Sequence, residues 1–227
     1  MKSLQIVFIG YVGIGKTTQI SLLYNYFKTN RISVCKYYVK SFYPAILRFI
    51  SKFTFTHKKV DKRRNGSVLP ALSDSLTKRL MKTVLLIDII AVTITYLLET
   101  KVLSFSKSII LMEEGLLGTI MEYMDAVWAG FIDVKFANRL VKFLVILIQK
   151  DNPLIVILLG KTSMLEERWV KRKSVFETET YLRSQQRIIE VFSKFFRERV
   201  ILVEDQGNGI MAVHKTILSQ LNQLSLF

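Results

Sequence analysis

The chain has 227 residues, half of them hydrophobic, which is enough apolar mass to bury a core at the upper end of one ordinary domain. A single cysteine, Cys35, excludes an internal disulfide and reads as a buried thiol in a reduced, cytoplasmic setting. The net charge of +15 is unevenly placed: residues 1–82 hold sixteen Lys or Arg against Asp61 and Asp74, whereas residues 83–227 hold seventeen against sixteen acids, so the first third is expected to face something anionic.

In chain order, Met1 to Ser3 lead into the apolar run Leu4 to Ile9. The run is short for a signal peptide and opens on a glycine loop instead of a cleavage site, which predicts a buried strand. From Lys16, the apolar positions Ile20, Leu23, Tyr24 and Phe27 have helical spacing, with Asn30 as the stop and a second strand over Ile32 to Val39. Residues 56–75, with Lys58, Lys59, Lys62, Arg63, Arg64, Asn65-Gly66 and Pro70, read as a charged, turn-rich loop. A long helix is predicted from Ser75 to Thr100. Its apolar stretch Val84 to Leu98 is bracketed by Lys82 and Glu99 and interrupted by Asp88, and it falls short of the roughly 20 residues that cross a bilayer. The expectation is a buried helix.

Ile109 to Met112 is a buried strand closed by Glu113-Glu114-Gly115, after which a helical pattern runs to Gln149. Asn152-Pro153 is a turn, Leu154 to Leu159 a strand, Glu177 to Phe196 a helix, Val200 to Val203 a last strand and Ile210 to Leu224 a closing helix. Strands alternating with helices require parallel pairing through right-handed crossovers. The predicted fold is α/β, a three-layer αβα arrangement around a mostly parallel five-stranded sheet, in one domain over 1–227.

Gly10-Tyr11-Val12-Gly13-Ile14-Gly15-Lys16-Thr17 matches G-x-x-x-x-G-K-[ST] at every fixed position, between a strand and a helix as the chemistry requires. Glycines let successive backbone N–H groups turn toward phosphate oxygens, Lys16 reaches the outer phosphates, Thr17 offers a hydroxyl to magnesium, and the helix dipole adds positive potential. The expected cofactors are therefore ATP and Mg2+, and the fold is of the P-loop NTPase kind. Gly10, Gly13, Ile14, Gly15, Lys16, Thr17 and Thr18 are the candidate nucleotide-binding residues.

The segment Gly13 to Gln19 resembles the loop of thymidylate kinases. Leu165-Glu166-Glu167-Arg168-Trp169-Val170-Lys171-Arg172 with Phe176-Glu177 is similar to that family's lid entry. Val200 to Asp205, with Val213 and Ile217, resembles its final strand, adenine loop and helix. The resemblance implies an ATP-dependent kinase that transfers the γ-phosphoryl group to a nucleoside monophosphate, dTMP or a related phosphorylated acceptor, and it allows a homodimer. It makes 160–183 a lid-like segment and 40–82 a basic insert on the acceptor side. Arg168 and Arg172 would close over the ATP phosphates beside Lys16, while Asp205 to Asn208 would line the base. Glu113 would join the catalytic group, orienting a magnesium-bound water together with Thr17 or holding the acceptor.

Departures from the family gather on the acceptor side. Val12 stands where the family has an acid, Glu114 where it has an arginine that helps hold the acceptor phosphate, and nothing among Tyr37 to Pro44 matches its Arg-Glu-Pro-Gly-Gly segment. The acceptor need not be thymidylate. The basic residues from Lys58 to Arg64 either meet an acceptor or are only solvated. The runner-up reading is a nucleotide-regulated protein without kinase activity, whose basic residues 36–82 grip nucleic acid or an acidic membrane surface.

Overall fold

Residues 3–38, 75–106, 108–128, 132–171 and 179–224 are described by a computed structural model. Five strands, β1 (Leu4–Gly10), β2 (Val34–Tyr38), β3 (Ile109–Glu113), β4 (Leu154–Gly160) and β5 (Val200–Asp205), form one sheet in the order β2-β3-β1-β4-β5. Every neighbouring pair is parallel. The helices are α1 (Lys16–Thr29), α2 (Ser75–Ser106), α3 (Gly115–Trp128), α4 (Val134–Asp151), α5 (Thr162–Lys171), α6 (Glu179–Phe195) and α7 (Ile210–Gln223), with a 3-10 turn over Arg197–Arg199.

The alternation of the central strand separates two cores. Ile6 and Phe8 of β1 pack with Ile20, Leu23 and Phe27 of α1 and with apolar residues of α5 and α7, whereas Val7 and Ile9 pack with residues of α2, α3, α4 and α6. Ile6, Phe8 and Ile9 are completely buried. Burying an aliphatic or aromatic side chain of this size contributes about 1.5–3 kcal/mol, so β1 anchors both helical layers. The three-layer αβα architecture follows the sequence reading closely. Asn30 ends α1 as expected, its N–H bonded to the Tyr26 carbonyl and the following N–H, of Arg31, to that of Lys28. Asn152 ends α4 in the left-handed conformation, φ 50°, with its N–H on Ile148 O.

Two expectations need correction or lie out of view. The helix predicted to Thr100 continues to Ser106, and it is not buried all round. Its inner face carries Met81, Leu85, Ile89, Val92 and Tyr96, and Asp88, fully buried, accepts a 2.8 Å hydrogen bond from the Tyr123 hydroxyl. Its outer face exposes Ile87, Ile90, Ile94, Leu98 and Val102, each more than half accessible. An apolar composition on every side let the pattern pass for a fully covered helix, yet only one face meets the sheet. Residues Met81–Ser106 are long and apolar enough to cross a membrane by length and composition. Of the basic insert over 40–82, residues 40–74, including Lys58 to Arg64, lie outside the described residues, and 75–82 open α2.

His214 on α7 is buried to 6% accessibility, and burial holds its pKa below the usual histidine value. Unfolding exposes it to a pKa near 6.5. Below about pH 6.5 the unfolded chain therefore takes up a proton that the folded chain excludes, and stability falls as the pH drops toward the folded value. Thermal melts between about pH 7 and 5.5 are expected to show a steeper loss of Tm for the natural protein than for His214→Gln; parallel curves would contradict this.

Candidate active site

The strand order creates a switch point. The chain leaves β1 for β2 at the sheet edge, returns to β3, then crosses β1 to β4, so the loops after β1 and β3 turn away on opposite sides and leave a crevice at the carboxyl ends of the strands. Residues Gly10 to Thr17 follow β1 there, and Glu113-Glu114 close β3. Glu113 lies opposite Phe8 in the register.

Lys16 is buried to 6% accessibility. Its ammonium donates to Gly10 O at 3.0 Å and to Tyr11 O at 3.2 Å, and it forms an ion pair with Glu114 Oε1 at 3.0 Å. Two of the three ammonium protons thus go to loop carbonyls, and a carboxylate stands beside the cation. Next to it, the exposed Thr17 Oγ1 donates to Glu113 Oε2 at 2.8 Å, across 96 residues of sequence. A hydroxyl and a carboxylate this close are hard oxygen donors of the kind that hold magnesium through one or two protein groups, with phosphates completing the shell. Thr17 and Glu113 fit that ion.

The loop is braced from α5. Trp169, 2% accessible, donates its indole N–H to Val12 O at 3.3 Å. Gly13, at φ 85°, lies against the same indole: a Cβ there would come within 2.9 Å of Trp169 Nε1. The middle glycine is thus required by its φ and by the neighbouring ring together. Arg168 donates through Nη1 to Ile14 O at 3.0 Å and pairs through Nη2 with Asp205 Oδ2 at 2.6 Å. Asp205 Oδ1 accepts from Gly207 N at 3.0 Å, so a single carboxylate shapes the loop after β5 and ties it to the phosphate loop. Expected over the phosphates, the Arg168 guanidinium is here engaged on the loop carbonyl and on Asp205.

Ile14 is buried beneath the loop, Gly15 precedes the first turn of α1, and Thr18 is half-buried on that turn. Asp205 and Asn208 line a cavity of about 280 Å3 between β5 and α7, with Glu204, Ala212 and Val213. Arg172, with the rest of 172–178, lies outside the described residues. Burial, and to a lesser extent the Glu190 carboxylate on α6, raise the pKa of Tyr11.

Sequence reasoning assigned no role to Trp169 or Gln19. Gln19 Nε2 donates to Ile210 O at 2.9 Å and joins α1 to the start of α7. The available signal for Trp169 was its spacing from Leu165, four residues earlier in a charged helix, which marks both as its inner face.

No family model matches the chain, and no curated protein matches it in sequence. Solved structures do. Deoxyadenosine kinase from M. mycoides with bound dATP has 16% identity and a TM-score of 0.55 over 96% of this chain and 100% of that one. The same enzyme with bound dCTP has 15% identity and a TM-score of 0.55, covering 97% and 100%. Thymidylate kinase from Candida albicans has 12% identity and a TM-score of 0.60, covering 99% and 93%.

Proposed function

With the fold of the P-loop nucleoside and nucleotide kinases as the premise, we propose that this chain is an ATP-dependent phosphotransferase whose acceptor is a nucleoside or a nucleoside monophosphate, dTMP being one member of that class. The observation that carries the reading is the convergence at one switch point of Lys16 and Thr17 on the loop with Glu114 and Glu113, respectively, at the end of β3. Nucleotides bound to the structural neighbours support the same class of ligand.

The chemistry that magnesium would supply, when bound, is positive charge that offsets the phosphates. Thr17 and Glu113 would hold it at the carboxyl edge of the sheet. Lys16 stabilises charge on the outer phosphates, and its burial strengthens that effect over what an exposed lysine provides. Arg168 and Trp169 act earlier, by holding the carbonyls of Ile14 and Val12 so that the loop is already shaped when nucleotide arrives. Arg172 is proposed to join the phosphates from the lid-like segment.

The test is ADP formation by the purified chain with magnesium ATP across a panel of nucleosides and monophosphates. Strong dependence on one acceptor is expected. Equal ADP release with and without every acceptor would count against the proposal.

A second reading rests on the exposed row Ile87, Ile90, Ile94, Leu98 and Val102 on α2, together with the basic first third of the chain: nucleotide-regulated attachment to an acidic membrane surface without phosphoryl transfer. Salt-sensitive sedimentation with anionic vesicles and no phosphorylated product would favour it.

A further inference from the structure

Glu114 occupies a built position. Its φ of 63° is in the left-handed region that residues other than glycine rarely adopt. Backbone bonds hold it on both sides: its N–H donates to Phe8 O at 2.8 Å, and its carbonyl accepts from Gly118 N at 3.0 Å. The side chain lies over the first turn of α3, where the absence of a side chain at Gly118 leaves room for it. A Cβ at that position would approach Glu114 Cβ to 2.6 Å and Glu114 Oε2 to 3.2 Å. From this seat the carboxylate forms its ion pair with Lys16 at 3.0 Å, while its neighbour Glu113 turns to Thr17.

The ammonium that Glu114 holds is the one that a phosphate loop presents to the outer phosphates. Gly10 O and Tyr11 O belong to the loop itself, so Glu114 is the partner that a triphosphate must replace. We propose that Glu114 is an internal counter-ion that competes with the outer phosphates for Lys16, and that its negative charge selects a neutral hydroxyl acceptor over a phosphorylated one. The proposal rests on the phosphotransferase reading for its second half only.

Displacement from Lys16 moves the carboxylate but not its backbone, which stays bonded to β1 and α3. The charge therefore remains within a side chain's reach of the transferred group. A hydroxyl acceptor meets it as a hydrogen-bond donor. A monophosphate meets it as a like charge. In the reaction the acceptor O–P bond forms as the bridging P–O bond breaks. ADP leaves with the bonding electron pair, and the hydroxyl proton passes to a carboxylate at the end of β3 and then to water. A nucleoside is the substrate class that fits both the fold and this charge.

Two measurements decide it. Calorimetry with a non-hydrolysable ATP analogue and magnesium is expected to show Glu114→Gln binding about tenfold tighter than the natural protein, with adenosine binding unchanged because it has no phosphates to compete. Equal or weaker binding of the analogue would overturn the competition. For the acceptor, kcat/KM is expected to favour nucleosides over the matching monophosphates by about tenfold or more, and Glu114→Arg to move the preference toward monophosphates. Where Arg is not accommodated at the left-handed position, Glu114→Gln on the same panel replaces it and is expected to narrow the ratio. A natural preference for monophosphates overturns the acceptor half. Absence of turnover with every acceptor would instead defeat the phosphotransferase reading, and the calorimetry would still decide whether Glu114 competes with phosphate.

Discussion

Lys16→Ala is expected to lower kcat/KM for ATP by about a thousandfold, the scale seen when a preorganised donor to a developing negative charge is removed. The expectation is large because the cation is buried and its position is already set by Gly10 O and Tyr11 O. A lysine held in place before the nucleotide arrives needs little reorganisation in the transition state, so its removal is felt mostly in the chemical step. Two carbonyls that shape the loop also lose their donor, at a cost to stability on the order of 1–3 kcal/mol where they remain dry. Circular dichroism at working temperature separates the two effects. A folded Lys16→Ala protein that keeps near-natural turnover would remove the loop from the mechanism.

Trp169→Ala is expected to destabilise the protein by about 3–5 kcal/mol, the range for removing a large aromatic from a core. Trp169 is among the largest fully buried side chains, packed in the same core as Ile14, Leu165 and Phe8, so its loss leaves a cavity directly under the phosphate loop. Trp169→Phe separates packing from the hydrogen bond, since it keeps most of the ring but cannot donate to Val12 O. That variant is expected to lose roughly 1 kcal/mol in hydrogen bonding, plus a smaller packing term, and to bind the ATP analogue more weakly because the loop is less well held. Urea unfolding measures the first quantity and calorimetry the second. A cost below about 1 kcal/mol for Trp169→Ala would mean that α5 is not docked as described.

Lys16 was legible from Gly10 to Thr17 alone, because a glycine turn between a strand and a helix is a local device. The same locality made β1, α1, the helix stop at Asn30 and the turn at Asn152 readable. Glu113 and Glu114 stood out as a pair of carboxylates ending a buried strand, but which one meets the lysine and which the threonine depends on how β3 enters beside β1. The outer face of α2 shows the opposite case. Its composition was plain, and its exposure was not, since hydropathy along a helix does not say how many neighbours cover it.

By itself, then, the sequence determined the phosphate loop, the alternation of strands and helices and the hydrophobic faces that fold them into three layers, because these arise from contacts within a few residues and from apolar periodicity. Tertiary structure alone decided that Arg168 joins Ile14 to Asp205, that Trp169 backs Gly13, and that Glu114 rests on Lys16. Those contacts depend on strand order and on approaches of about 3 Å between distant segments, where the direction of one side chain determines which charge it meets.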